Sequence, residues 1–240
     1  MRICRKRKAD GTVSVWGDSS FTTVPAGATK IVAIAAGANV CVALKADGTV
    51  IGWGYGWTAP SSSLLLNNIV AVGAGSYTAF AVRAEGTVVA WGSSYATSVP
   101  AGLTGVVAVT GGYYHALALK ADGTVVAWGE NYNGGKNIPA GLSGVTAISS
   151  RETLVFALLS NRMVVAWGDA TTTYPMPSGL GGVAAVAAGS NHALALRDAS
   201  ADQAPTITSS PASLAAHQGL SVPFTVVATA GTAGINYQWF

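Results

Sequence analysis

Few side chains in this 240-residue sequence are suited to acid–base or metal chemistry. The chain holds 3 histidines, 10 acidic residues and 2 cysteines. Asp47, Glu85 and Asp122 each stand directly before a glycine, which is typical of tight hairpin turns. Turn carboxylates spread along the chain in this way are not paired for general acid–base catalysis. The sequence therefore predicts no enzyme, and it indicates no metal site and no cofactor.

Two of the histidines occupy the same position in a repeated pattern. His115 and His192 both open the sequence His-Ala-Leu-Ala-Leu, whereas three other copies have Val40, Thr78 and Leu154 at that place. A catalytic base or a metal ligand would need a fixed partner, and a position that accepts valine and leucine does not supply one. We therefore expect these histidines to be packing residues.

The sequence pattern that contains these histidines and turn carboxylates repeats five times. The pair Trp-Gly recurs at intervals of 37, 38, 37 and 39 residues, and an acidic residue followed by glycine precedes it in four copies. A third segment keeps the same phase, for example "IVAVGAG" from residue 69 and "VVAVTGG" from residue 106. A fixed period of this length predicts a repeat architecture. The five tryptophans are Trp16, Trp53, Trp91, Trp128 and Trp167.

Each repeat is interpreted as three short strands that run up, down and up. In the copy from residue 106, "VVAV", "HALALK" and "TVVAWG" are the strands, and Asp122-Gly123 is the hairpin between the second and the third. Such a unit is apolar on both faces, so it is stable only when its neighbours stack against it. The sequence predicts an all-β fold, a β-propeller of about five short blades, with the tryptophans packed between blades.

The strand directions place most of the aromatic loop residues on one rim. In an up-down-up unit, the loop after the first strand and the loop after the third strand open on the same face. We interpret this face as a candidate binding site, because tyrosine and tryptophan anchor interfaces and stack on sugars. The alternative is that these side chains pack against neighbouring loops. The predicted residues are Tyr55, Trp57, Tyr77, Tyr95, Tyr113, Tyr114, Tyr132 and Tyr174.

The segment "GGYYHALALKADGTVVAWGENYNGG" (111–135) closely resembles the repeat of the regulator of chromosome condensation family. The short period is similar to the compact bacterial branch of that family, which includes a β-lactamase-inhibitor propeller. The resemblance covers about residues 9–198 and implies a seven-bladed ring, whereas this sequence holds about five blades' worth. We expect a small closed ring or an open arc. A fifth blade would be split, taking two strands from residues 183–198 and the third from "GTVSVWG" near the start.

The segments outside the repeats have different compositions. Residues 1–8 are basic and are expected to be a disordered tail; without them, 10 acidic residues outnumber 8 basic ones. We therefore expect no nucleic-acid partner, and no apolar run is long enough to insert into a membrane. Residues 199–206 are interpreted as a linker. Residues 207–240 resemble the first strands of a bacterial immunoglobulin-like module, a partial β-sandwich.

These patterns favour a non-enzymatic scaffold that binds another protein or a glycan through the aromatic face. The module resemblances imply a bacterial protein at the cell surface or outside the cell, although no signal peptide is visible in the sequence. Two alternatives follow from the family resemblance. One is an inhibitor of a secreted enzyme such as a β-lactamase, and the other is a guanine-nucleotide exchange or chromatin-binding regulator. The oligomeric state is left open.

Overall fold

The computed structural model of the chain describes residues 3–17, 23–54, 66–169, 176–177, 180–189, 192–197, 206–209 and 227–229. Within these ranges the regular structure is β-strand, apart from two single 3₁₀ turns at Tyr95–Thr97 and Tyr132–Gly134. The all-β prediction is confirmed. No helix of the described chain is long and apolar enough to cross a membrane.

Four complete three-stranded antiparallel sheets form the centre of the molecule, with the middle strand in sequence at the centre of each. The first strand of each of these sheets pairs with the second through a bulge, at a similar place in every copy. Their strands are β3 (Ile31–Ala36), β4 (Cys41–Lys45), β5 (Val50–Trp53), β6 (Ile69–Ala74), β7 (Thr78–Arg83), β8 (Val88–Gly92), β9 (Val106–Gly111), β10 (His115–Lys120), β11 (Val125–Gly129), β12 (Val145–Arg151), β13 (Leu154–Leu159) and β14 (Val164–Gly168).

A two-stranded sheet stands at each end of this row, and both differ from the predicted split blade. Strands β1 (Ile3–Arg7) and β2 (Val13–Gly17) pair with each other, and so do β15 (Val183–Ala188) and β16 (Ala193–Arg197). The prediction that β2 completes the β15–β16 sheet is therefore wrong. A connection of five residues joins β1 to β2, so their pairing closes only a very short loop. Residues 3–7, expected to be disordered, form a strand.

Contacts between first strands set the order of the sheets. Strand β3 lies beside β6, β6 beside β9, β9 beside β12 and β12 beside β15, while β1 contacts β3. Backbone hydrogen bonds cross from sheet to sheet beside these strands: the Ser76 amide donates to the Gly112 carbonyl at 2.9 Å, and the Tyr113 amide donates to the Glu152 carbonyl at 2.8 Å. A Cβ on Gly112 would collide with that Glu152 carbonyl, so glycine permits the close approach.

The core consists of apolar layers between successive sheets, as the stacking argument predicts. The middle strand of each sheet sends alternate side chains to opposite faces; Leu117 and Leu119 pack towards the next sheet, while Ala116 and Ala118 pack towards the previous one. Each buried tryptophan lies on the face towards the preceding sheet. Trp128, for example, meets the Phe80 ring at 6.1 Å between centroids and an interplanar angle of 89°.

In the turns between second and third strands, the acidic residue accepts hydrogen bonds from within the turn, as the sequence predicts. In the third complete sheet Asp122 Oδ1 accepts hydrogen bonds from the Thr124 amide at 3.0 Å and the Thr124 hydroxyl at 2.6 Å. These bonds lower the pKa of Asp122 to about 2. The fourth sheet reproduces the turn with other residues, since Asn161 Oδ1 accepts from the Met163 amide at 3.1 Å. These acidic residues therefore serve the turns.

Near the C-terminus the structure describes one further pair of strands, β17 (Thr206–Ser209) and β18 (Val227–Thr229), which run antiparallel. The immunoglobulin-like identity of residues 207–240 stays a prediction.

Candidate functional site

Five tyrosines from the two loop classes of one rim lie together; we call them the tyrosine cluster. Tyr77 follows β6, and Tyr113 and Tyr114 follow β9, so these three stand in loops after first strands. Tyr95 and Tyr132 begin the 3₁₀ turns that follow the third strands β8 and β11. Two neighbouring sheets therefore supply the whole cluster.

The rings of the cluster form a connected set. Tyr113 and Tyr114 are 4.3 Å apart between centroids, and Tyr77 meets Tyr113 edge-on at 5.5 Å. On the other side Tyr114 lies 5.0 Å from Tyr132 and 6.2 Å from Tyr95. Three of these separations fall in the range of about 4.5–7 Å in which aromatic rings attract each other beyond the effect of buried area, and the Tyr113–Tyr114 separation is slightly shorter. The cluster is thus held in shape by its own contacts.

Exposure within the cluster differs between the two classes of loop. Tyr77, Tyr113 and Tyr114 are partly buried, whereas Tyr95 is 61% exposed and Tyr132 is 57% exposed. The Tyr77 and Tyr113 hydroxyl oxygens lie 3.4 Å apart. The neighbouring Tyr77 hydroxyl, through this hydrogen bond, raises the pKa of Tyr113 to about 12. The surface therefore offers aromatic area together with the neutral Tyr113 hydroxyl.

The turn that carries Tyr95 is fixed by its own residues. Ser94 caps it, because Ser94 Oγ accepts a hydrogen bond from the Ala96 amide at 3.3 Å. The Thr97 hydroxyl donates to the Ser94 carbonyl at 2.9 Å. Ala96 is buried in the layer between the second and third complete sheets while Tyr95 next to it points outward.

A buried tryptophan of the following sheet donates a hydrogen bond to each of the two tyrosine turns. Trp128 Nε1 donates to the Ala96 carbonyl at 2.8 Å, one residue after Tyr95. Trp167 Nε1 donates to the Gly135 carbonyl at 2.9 Å, directly after the turn that Tyr132 begins. The Trp-Gly corner of one repeat therefore positions the aromatic loop of the repeat before it. Sequence reasoning assigned these tryptophans to packing alone and missed this second task.

His115 lies beneath the rim and is fully buried. It is 2% exposed, and its Nε2 lies 3.0 Å from Ser150 Oγ. Its ring fills the space that side chains on Gly112 and Gly135 would occupy. Burial, with a smaller contribution from the charge of Lys136, lowers the pKa of His115 to about 4. A neutral, enclosed imidazole of this kind is a packing residue, as expected.

The loop of Tyr132 is also tied to the next repeat. Asn133, whose φ of 50° lies in the left-handed region, donates from Nδ2 to Asp169 Oδ2 at 2.9 Å. The Thr153 hydroxyl donates to the same oxygen at 2.5 Å. Asn131 Oδ1 accepts from the Lys136 amide at 2.9 Å, and the Lys136 ammonium donates to the Gly129 carbonyl at 2.6 Å.

The structure describes five of the eight predicted site residues and brings all five together. Tyr55, Trp57 and Tyr174 lie outside the described residues. The binding role of these three residues, like that of the five described tyrosines, stays a prediction. Within the described part of the chain, no three His, Cys, Asp or Glu side chains are grouped so that they could hold a metal ion.

Two of the repeats match a known family. Residues 69–96 and 106–134 match the model of the regulator of chromosome condensation (RCC1) repeat. These matches cover the second and third complete sheets, which are the sheets that carry the tyrosine cluster. No curated protein matches the sequence.

Solved structures share the fold. The ectodomain of the Physcomitrella patens receptor kinase CR4 aligns with 75% of this chain at 25% identity and a TM-score of 0.63; the match spans 52% of that ectodomain, about half its length. The ectodomain of the Arabidopsis thaliana receptor kinase ACR4 aligns with 80% of the chain, and 70% of its own length, at 21% identity and a TM-score of 0.62. Prp20p from Saccharomyces cerevisiae aligns with 81% of the chain, and 67% of its own length, at 18% identity and a TM-score of 0.65.

Proposed function

We propose that this chain, which contains regulator of chromosome condensation (RCC1) repeats, is a non-catalytic scaffold that binds a partner protein on its tyrosine cluster. The observation that carries the proposal is the connected set of five rings on one rim, with Tyr95 and Tyr132 more than half exposed. Tyrosine is over-represented at the energetic centres of protein interfaces, because it buries a large area at little conformational cost.

The rigidity of the cluster supports this proposal. The turns of Tyr95 and Tyr132 are held from below by Trp128 and Trp167, so the exposed rings are already positioned before a partner arrives. A surface that needs little ordering loses less free energy on binding. The alternative in which the rings only pack against each other explains Tyr113, but it leaves Tyr95 and Tyr132 with most of their surface in water.

The neutral character of the cluster suggests the kind of partner. The Tyr113 hydroxyl keeps its proton at any physiological pH, because its pKa is raised. Aromatic faces and neutral hydroxyls suit an apolar or amphipathic protein surface, such as one that presents leucine, proline or arginine side chains. Among the similar structures, Prp20p binds Gsp1p and histones, so one protein of this fold binds other proteins.

A glycan is the second candidate, since sugar rings stack on exposed tyrosines in the same way. The choice can be made by measuring binding of the chain to a panel of proteins and a panel of oligosaccharides. Any bound partner is then titrated against the double variant Tyr95→Ala/Tyr132→Ala. We expect the dissociation constant for a protein partner to rise at least about tenfold, because the two most exposed anchors are removed.

The control is the double variant Val70→Ala/Val107→Ala, which removes exposed apolar groups, 56% and 48% exposed, from first strands away from the tyrosine cluster. It should bind as the unchanged chain does. A partner that binds the tyrosine double variant with undiminished affinity would refute the proposal, and a partner found only among the oligosaccharides would replace protein binding by glycan binding.

A further inference from the structure

An apolar cavity of about 420 Å³ lies between the last complete sheet, β12–β14, and the two-stranded sheet β15–β16. In the complete sheets a third strand, carrying the tryptophan of the Trp-Gly pair, pairs with the second strand on this side. Strand β16 has no such neighbour among the described residues. The lining includes Phe156, Val164, Met176, Leu180, Val186 and Ala193.

Each of these lining residues stands at the repeat position of a residue that packs around Trp128 two sheets earlier. Phe156 corresponds to Phe80, whose ring meets Trp128 edge-on, and Ala193 corresponds to Ala116, which pairs directly with Trp128 across the strands. The other matching residues of that earlier layer are Val88, Val99, Leu103 and Val109. Among the described residues, the cavity thus has the walls of a tryptophan socket and holds no tryptophan.

We propose that strand β2 of a second copy of this chain fills the socket with its Trp16. Strand β2 has the sequence of a third strand, Val-Ser-Val-Trp-Gly, and Trp16 stands at the repeat position of Trp128. The four tryptophans of the complete sheets are only 4–6% exposed, whereas Trp16 is 51% exposed. The first sheet of the row therefore exposes a tryptophan, and the last sheet has a cavity lined like a tryptophan site.

The present partner of β2 is poorly matched to it. In the backbone register of the β1–β2 sheet, Arg5 is the partner of Val15 and Arg7 is the partner of Val13. At those register positions the third complete sheet has Leu117 and Leu119. Strand β16 offers Leu194 and Leu196 there, in the same Ala-Leu-Ala-Leu order. Exchange of β1 for β16 of a neighbouring copy pairs the valines of β2 with leucine in place of arginine.

A second copy fits these observations because the two sites lie at opposite ends of the row. The β1–β2 sheet contacts β3, and from β3 the contacts between first strands lead through β6, β9 and β12 to β15. Joining the last sheet of one copy to the first sheet of the next keeps this order of sheets within each copy. Such a contact uses different surfaces on its two sides, so it produces head-to-tail chains or rings of copies.

The incoming copy would also cover a second apolar surface. Leu194 and Leu196 are each 65% exposed, although their counterparts Leu117 and Leu119 are buried under the following sheet. Trp53 of the β3–β5 sheet belongs to the layer that includes Val13 and Val15 of β2. When β2 of the incoming copy pairs with β16, the β3–β5 sheet of that incoming copy covers Leu194 and Leu196 of the first copy.

The test is the association state of the full chain, measured by sedimentation velocity over a range of concentrations. We expect reversible head-to-tail oligomers. Trp16→Ala, which removes the inserted side chain, and Ala193→Phe, which fills the socket, should each weaken association at least about tenfold. Val70→Ala, an exposed apolar residue on a first strand, is the matched control and should leave association unchanged.

Mixing the two variants makes the test specific. Trp16→Ala keeps an intact socket and Ala193→Phe keeps an intact Trp16, so equal amounts should form one-to-one dimers that grow no further. Far-UV circular dichroism of each variant reports whether the strands are retained. A chain that stays a monomer at high concentration overturns the proposal, whether the Trp16 side chain of that monomer is exposed or buried. So does a mixture that stays monomeric while the unchanged chain associates.

Discussion

At the scale of the residue, His115 shows how this apolar fold accommodates a polar ring. Its repeat counterparts Val40, Thr78 and Leu154 are also buried, so the position belongs to the core in every complete sheet. The imidazole is accepted there because Gly112 and Gly135 leave room for it and Ser150 Oγ lies within hydrogen-bonding distance. A ring held in this way is stable only in its neutral form.

The stability of the chain should therefore fall in mildly acidic solution. The pKa of His115 is lowered from 6.5 to about 4 in the folded chain. The unfolded chain thus takes up the proton first, and the contribution of His115 is complete above pH 6.5 and lost as the pH falls to about 4. The loss in the free energy of unfolding is on the order of 3 kcal/mol. Urea unfolding at a series of pH values measures it.

His115→Leu is the control for this prediction, since leucine occupies the same position as Leu154 in the next sheet. The variant should have a flatter stability profile between pH 6.5 and about 4.5. Below that range Asp122 and Glu85, whose pKa values are lowered in the folded chain, add their own pH dependence in both proteins. An unchanged slope in the variant would show that another group is responsible.

At the scale of the element, each Trp-Gly corner joins two successive repeats. Trp128 packs against Phe80 of the preceding sheet and donates to the Ala96 carbonyl in the turn that displays Tyr95. The same arrangement recurs when Trp167 donates to the Gly135 carbonyl. Packing and loop placement therefore depend on one side chain, which explains how a short turn can hold an exposed tyrosine in place.

Replacing Trp128 by phenylalanine should separate these two roles. Phenylalanine keeps most of the apolar contact but leaves the buried Ala96 carbonyl without its donor, at a cost of about 1–2 kcal/mol in the free energy of unfolding. Hydrogen exchange at the Thr97 and Ser98 amides, which bond within the Tyr95 turn, should become faster. Trp16→Phe, on the exposed end sheet, should change neither quantity in dilute solution; equal effects of the two substitutions would contradict this assignment.

At the scale of the whole molecule, stability comes from layers between sheets, and among the described residues each of the two end sheets has a neighbouring sheet on one side only. Leu117 is fully buried between the third and fourth complete sheets, whereas Leu194 at the same repeat position is 65% exposed. The two leucines have the same neighbours in sequence, Ala-Leu-Ala in each case. Among the described residues, Leu117 is covered by the following sheet and flanked by a third strand, and Leu194 has neither neighbour.

This pair provides a test of the stacked architecture. Leu117→Ala should lower the free energy of unfolding by about 2–5 kcal/mol, because it leaves a cavity between two sheets. Leu194→Ala should lower it by less than about 0.5 kcal/mol at dilutions where copies do not associate. Chemical denaturation of both variants under the same conditions measures the difference. Similar losses from the two substitutions would mean that the row of sheets does not end at β16.

Much of the fold and part of the candidate site could be predicted, because both depend on period and strand direction. The Trp-Gly spacing predicts the sheets and the side of each sheet on which tryptophan packs. The alternation of strand directions predicts that Tyr95 and Tyr114 share a rim. Neither argument specifies the ring distances between them, the depth of His115 or the hydrogen bonds from Trp128 and Trp167, because these depend on how adjacent sheets approach each other.

By itself the sequence determined the all-β repeat, the turn chemistry of its acidic residues and the one-sided distribution of its tyrosines, since each is a local property of a strand or turn. Only the tertiary structure decided what happens at the ends. Strand β2 could pair with either β1 or β16 by its pattern, and it pairs with β1, which is five residues away. Edge pairing is a competition between distant segments, and local periodicity does not encode its outcome.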